Sequence, residues 1–265
     1  MEKFLSLHDK WSIDDECAAR HGYDNRVFAA LTGVIYGMTG GHNISSNESR
    51  KRRLFILRKN APCPQPVFSF LLDFLTALIS GKKIRLDQPC YLLIGVVPLL
   101  FFLTEDPGFE GFNNKVRESV DGNFCDADVV VAYHYFLVLF YLFHYYDVDE
   151  AISMATMKYS EHFPQQQMSR WEARSGGATP FVQGDDIRDI TNVLERALHV
   201  CIAHPSEKEC VKVLKRLSGE DAVIGGVAGG VMGMYFSVRF YGLELLSHDV
   251  VLRIRQFCDF SYERR

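Results

Sequence analysis

The chain of 265 residues has no large excess of charge of either sign. Lys and Arg number 29 against 33 Asp and Glu, a net charge of -4. That balance argues against bulk electrostatic binding to nucleic acid or to an anionic membrane. Cysteine pairing signals are missing too. The seven cysteines are odd in number, and no CxxC occurs among them. A disulfide framework and a zinc knuckle are therefore not expected, and an intracellular reducing compartment is, cytoplasmic or alternatively mitochondrial. The opening residues, MEKFLSLHDKWSIDDECAARHG, have no apolar core of a secretory signal and are too acidic for an ordinary transit peptide. Tryptophan is scarce at 2 residues, yet Phe numbers 20 and Tyr 12. The core is expected to be unusually aromatic. Hydrophobic residues at 48% are ample for one.

Long apolar runs are few. Residues 89–104 are interrupted by Pro98, and residues 129–146 hold His134, His144 and several Tyr, followed by Asp147, Asp149 and Glu150. A buried central helix is the expectation there, without integral membrane insertion. Elsewhere the periodicity is helical. Helices are expected over Asp24–Met38, Val67–Ser80 (closed by Gly81), Tyr91–Thr104 with a kink or break at Pro98, Phe112–Val120, and Asp126–Tyr146 capped by Asp126 or Asp128. Further helices are expected over Asp149–Phe163, Asp185–Ala203, Ser206–Leu217, Ala222–Leu246 and His248–Phe260. Ser206 and Glu209 form a capping-box pair. Pro64 and Pro66 exclude a helix interior around them. Pro164–Gly184 reads as a long loop, and loops of that length are usually functional or mobile. The fold class is all-α: an extension over residues 1–25, then one compact helical domain over 26–265.

Two glycine stripes stand out. Gly225, Gly229 and Gly233 are four apart, as are Gly33, Gly37 and Gly41, so each set lines one helix face. Glycine inside a helix costs ~1 kcal/mol relative to alanine. Close approach of a second backbone is the usual reason to keep it, and the two stripes are expected to pack on each other or at least to serve tight helix packing.

These segments resemble the ADP-ribosylglycohydrolase family of dinitrogenase-reductase-activating and ADP-ribosyl-acceptor hydrolases. The family pattern GxxxGDALG is matched by residues 33–41, GVIYGMTGG, and GGDTDTxAAxAGAxAGAYYG by SGEDAVIGGVAGGVMGMYFS at 218–237. Leu92–Leu103 is similar to the family's apolar helix with a Pro-Leu pair, and Asp147–Ala155 to its acidic turn into the next helix. The resemblance spans roughly residues 26 to 245. It implies a compact all-α domain. It also implies a site that cleaves the bond to ADP-ribose with two Mg²⁺ ions, which need several converging carboxylates.

Those carboxylates are largely missing. No DDT motif occurs, and its place falls near Cys63-Pro64-Gln65-Pro66. The aspartate of GDALG is Met38, the Thr-His pair before the central helix is Asn123-Phe124, and the DTD position retains Glu220 with Asp221 beside it. Glu220 and Asp221 are thus the vestigial ligand positions. No catalytic residue, no metal and no cofactor are expected, Mg²⁺ entering only if an active site is centred on those two. The leading expectation is a catalytically degenerate protein acting as a binding or structural subunit of a protein or ribonucleoprotein complex. The alternatives are an active hydrolase with a reduced metal site, or a reader that binds an ADP-ribose-like ligand against the backbone of Gly37, Gly40, Gly41 and Gly219.

Other residues have two readings. Lys51-Arg52-Arg53 is a phosphate-binding or partner-contacting patch, or a solvated helix end. Arg170, Trp171 and Arg174 are partner contacts, or a loop folded on the surface. His134 and His144 lie ten residues apart and are expected to be satisfied core histidines. Cys201 and Cys210 are expected to be buried apolar positions.

Overall fold

A computed structural model describes residues 25–40, 65–103, 105, 108–144, 146–160, 189–203, 206–236 and 248–263. The basic run with Lys51, Arg52 and Arg53, Gly41, and the segment with Arg170, Trp171 and Arg174 lie outside the described residues, as do the expectations placed on them.

Among the described residues ten helices form: α1 (Asn25–Thr39), α2 (Gln65–Ser80), α3 (Tyr91–Leu100), α4 (Phe109–Ser119), α5 (Asp126–Phe143), α6 (Val148–Ser160), α7 (Ile190–Ala203), α8 (Glu207–Glu220), α9 (Ala222–Phe236) and α10 (His248–Glu263). The all-α expectation is met, with one exception. Two three-residue strands, β1 (Ile84–Leu86) and β2 (Val120–Gly122), pair in parallel, with Ile84 opposite Val120 and Leu86 opposite Gly122. Gly122 has φ 127, and a Cβ there would stand 2.7 Å from the Leu86 carbonyl oxygen. Only glycine allows that rung to close.

The helix ends follow local chemistry, not always as expected. Pro66 is the second residue of α2, where a missing N–H costs nothing. Pro98 lies inside α3, which ends two residues later. The end is closed by short-range bonds from the N–H groups of Phe101, Phe102 and Leu103 to the carbonyls of Pro98, Leu99 and Leu100. The cap of α5 is Cys125 and not Asp126 or Asp128; the Asp128 carboxylate instead accepts from the Cys125 N–H at 2.8 Å. Asp147 and Asp189 accept N–H bonds at the starts of α6 and α7. At α8 the Ser206 hydroxyl accepts from the Glu209 N–H at 3.4 Å and donates to the Glu209 carboxylate at 2.7 Å. The expected pair is there, closed side chain to side chain.

α5 is the only described helix long and apolar enough to cross a membrane, and 67% of it is buried inside the protein. It packs against α3, α4, α6, α7 and α9. Its open C-terminal carbonyls are taken by Arg26, whose guanidinium donates to Leu142 O at 3.1 Å and Phe143 O at 3.0 Å. The expected aromatic core is present. Phe112 lies 5.0 Å from Phe136 and 5.6 Å from Tyr133 between ring centroids, and Phe101 meets Phe257 edge-on at 5.1 Å.

α1 and α9 form the most intimate helix pair. A Cβ built on Gly33 would fall on the Gly229 carbonyl oxygen, and one on Gly37 on the Gly225 carbonyl oxygen. A Cβ on Gly233 would fall on the Ala29 carbonyl oxygen. Partners rise by four on one helix as they fall by four on the other, so the helices run antiparallel, backbone against backbone. The other two glycines of α9 admit side chains. Gly226 faces Ile94 and Met38, and Gly230 leaves room for the Tyr135 hydroxyl. That hydroxyl donates to Val227 O at 3.0 Å. Five helical glycines cost roughly 5 kcal/mol in propensity. The close packing of α9, whose residues from Ile224 to Met234 are all buried, offsets it.

Candidate functional site

The positions singled out by the resemblance fall at one end of the α1–α9 pair. Asp221 is the single residue between α8 and α9. Its N–H donates to Leu217 O at 2.6 Å, closing α8, while its carboxylate accepts from Ile224 N–H at 3.3 Å, opening α9. Its other carboxylate oxygen lies 3.7 Å from the Arg196 guanidinium of α7. Burial pushes the Asp221 pKa up, against the opposing pull of the Ile224 N–H, Arg196 and the Val223 N–H. Asp221 thus joins three helices, α8 through its N–H and α9 and α7 through its carboxylate. Gly219 and Glu220 form the last turn of α8, next in sequence to this cap; of the Glu220 side chain nothing is described.

Gly37 is enclosed by the seam, and the space a ligand would need beside it holds the Gly225 peptide. Gly40 has φ 62, and its N–H bonds Tyr36 O at 2.7 Å, so it terminates α1 in the left-handed conformation glycine tolerates. Among the described residues no three His, Cys, Asp or Glu side chains converge. A pair of hard cations needs several carboxylate oxygens, and among the described side chains Asp221, itself facing Arg196, supplies one carboxylate toward that requirement.

The histidines separate. His134 is 5% exposed, its Nε2 lies 3.2 Å from the Thr156 hydroxyl, and burial lowers its pKa to about 4. It is the expected core histidine. His144 is exposed at the end of α5, its ring 4.5 Å from that of Phe140, because the helix ends before the apolar run does. This corrects its expected burial. Cys201 and Cys210 are buried as expected, and burial raises both thiol pKa values, that of Cys210 to about 12.

A second site has no counterpart in the sequence analysis. A cleft of about 1110 Å³ opens where the end of α2, the turn after α3, α4 and α10 meet. Its apolar surfaces are Leu78, Phe102, Leu103 and Phe260. Lys82, Lys83, Lys115 and Arg117 reach it, together with Glu105 and Glu118. Lys115 stands 4.8 Å above the Phe102 ring and 3.7 Å from Glu118. Arg117 is held by Asn113 at 3.0 Å and by Asp126. Among the described residues Lys82, Lys83 and Glu105 have no side-chain partner. None of the glycine-end positions lines this cleft. The one sequence signal for it was a lysine pair directly after the glycine closing α2.

Comparison with protein-family models, with curated proteins and with solved structures finds no match to this chain. The fold and sites therefore define a class only: an all-α protein built on a glycine-paired helix couple.

Proposed function

We propose that this chain is a non-catalytic binding or structural protein with an ADP-ribosylglycohydrolase-like helical scaffold, working as a subunit of a larger assembly. The observation that carries this reading is the state of Asp221. A ligand carboxylate in a metallohydrolase must offer free oxygens to a cation. Here one oxygen caps α9 and the other faces Arg196. The glycines support the same reading, because Gly33, Gly37, Gly225 and Gly229 are used by helix packing, a role that selects for them without any chemistry.

The test is release of ADP-ribose from ADP-ribosyl-arginine, with and without Mg²⁺. No release above the enzyme-free blank is expected in either buffer. Mg²⁺-dependent release that disappears in Asp221→Asn overturns the reading in favour of a hydrolase with a reduced site at Glu220 and Asp221.

A further inference from the structure

We propose that the cleft between α2, α4 and α10 is a binding site for a nucleoside diphosphate. The proposal does not depend on the reading above, since none of the residues it uses belongs to the glycine end. The polar groups of the cleft divide into those already spent and those left over. Lys115 is answered by Glu118, and Arg117 by Asp126. Two cations, Lys82 and Lys83, and one carboxylate, Glu105, remain without side-chain partners among the described residues. Two lysines consecutive in sequence that both line the cleft suit a pyrophosphate, each ammonium giving point-charge contacts to phosphate oxygens. A free carboxylate is an acceptor for vicinal ribose hydroxyls, as acidic residues are in dinucleotide folds. The apolar wall of Leu78, Leu103 and Phe260 gives a flat base a dry surface. A cleft of about 1110 Å³ is slightly larger than the usual range for small-molecule sites, so it has room for a nucleotide.

The lysines are also positioned. Gly81, with φ 64, turns the chain out of α2, and the Lys82 N–H bonds Ala77 O at 3.0 Å. From Ile84 the chain is pinned to β2 by three paired residues. Lys82 and Lys83 therefore sit on a short span fixed at both ends, which lowers the ordering cost of binding. Their charge stands out in a chain that is acidic overall.

Calorimetric titration of the full chain with ADP, inorganic pyrophosphate and adenosine tests this. ADP is expected to bind without metal and to weaken as salt is added. Pyrophosphate should bind more weakly, and adenosine should give no heat at the same concentration. The double variant Lys82→Glu/Lys83→Glu should lose about tenfold or more in ADP affinity, and Glu105→Gln about fivefold with pyrophosphate binding unchanged. Lys212→Glu, exposed on α8 away from the cleft, should bind as the native chain does. No ADP heat at millimolar concentration, or an unchanged affinity in the lysine double variant, overturns the site. Pyrophosphate binding as tightly as ADP overturns the nucleoside assignment. The lysine double variant leaves Asp221 untouched, so Mg²⁺-dependent hydrolysis surviving in it separates failure of the proposed function from failure of this site.

Discussion

At the α1–α9 seam the peptide groups of Gly33, Gly37, Gly225 and Gly229 meet with no side chain between them, whereas at the cleft beside α2 long charged side chains stand around a space that none of the described residues fills. The seam is closed by what its residues lack. The cleft is kept open by what its residues carry, since burying Lys82, Lys83 or Glu105 unpaired is costly. The contrast separates two uses of sequence in one small protein. Positions at the seam are fixed by geometry and tolerate almost no substitution, while Lys82, Lys83 and Glu105 at the cleft have no side-chain partner among the described residues.

The largest break in that contrast is expected from Gly229→Val. Its Cβ would land on the Gly33 carbonyl oxygen, and backbone cannot yield as a side-chain tip does. A loss of about 3 kcal/mol or more is expected, read as a large fall in the midpoint of urea unfolding. The comparison substitution is Gly111→Ala in α4, where a Cβ meets nothing within 4 Å. It should stabilise by about 0.5–1 kcal/mol, because an exposed helical alanine is better than glycine.

Next in size is a pH effect centred on His134. Its ordinary pKa of 6.5 falls to about 4 in the folded protein. The unfolded chain therefore binds this proton more readily than the folded one. Above the unfolded value the histidine is neutral in both states and costs nothing. As pH falls from 6.5 toward 4 the unfolded state is progressively favoured, by on the order of 3 kcal/mol at the lower limit. Denaturant melts across that window should slope accordingly, and His134→Phe should flatten the slope. An unchanged slope in the variant assigns the pH dependence to another group.

The smallest destabilisation is expected at Asp221→Ala, which removes the cap of α9 and the Arg196 contact together. A cap is worth about 1 kcal/mol. Thermal melts should show a modest decrease, far short of that for Gly229→Val. A loss as large as the seam variant's would move Asp221 from the category of helix joint to that of core.

These contrasts explain what the sequence made legible. The seam was visible because its signal is local and periodic: glycines every fourth residue mark a helix face that something must approach. The Ser206–Glu209 pair and the closing Gly81 were visible for the same reason, each lying within one turn of what it caps. The α5 cap was placed at Asp126 or Asp128, one or three residues late, because both are good capping residues by type, and only the backbone shows that Cys125 begins the helix. The strand pair was not legible. Three residues carry too little alternation to mark a strand, and Ile84 and Val120 find each other only through the helices between them. The cleft was invisible for a similar reason. Lys82, Glu105, Arg117 and Phe260 come from four separate stretches, and nothing in any one of them reports the space they share.

The seam also has a consequence in time. Gly33 and Gly229 are separated by roughly two hundred residues of chain. At ordinary synthesis rates of about 5–20 residues per second, α1 is complete about ten to forty seconds before its partner exists. Throughout that interval its bare backbone face lacks its native partner, although α2 and α3 already offer packing to its apolar flank. A helix pair that joins segments roughly two hundred residues apart raises the contact order and delays the final assembly. The feature that locks the finished protein is thus the one that leaves the nascent chain longest in need of protection.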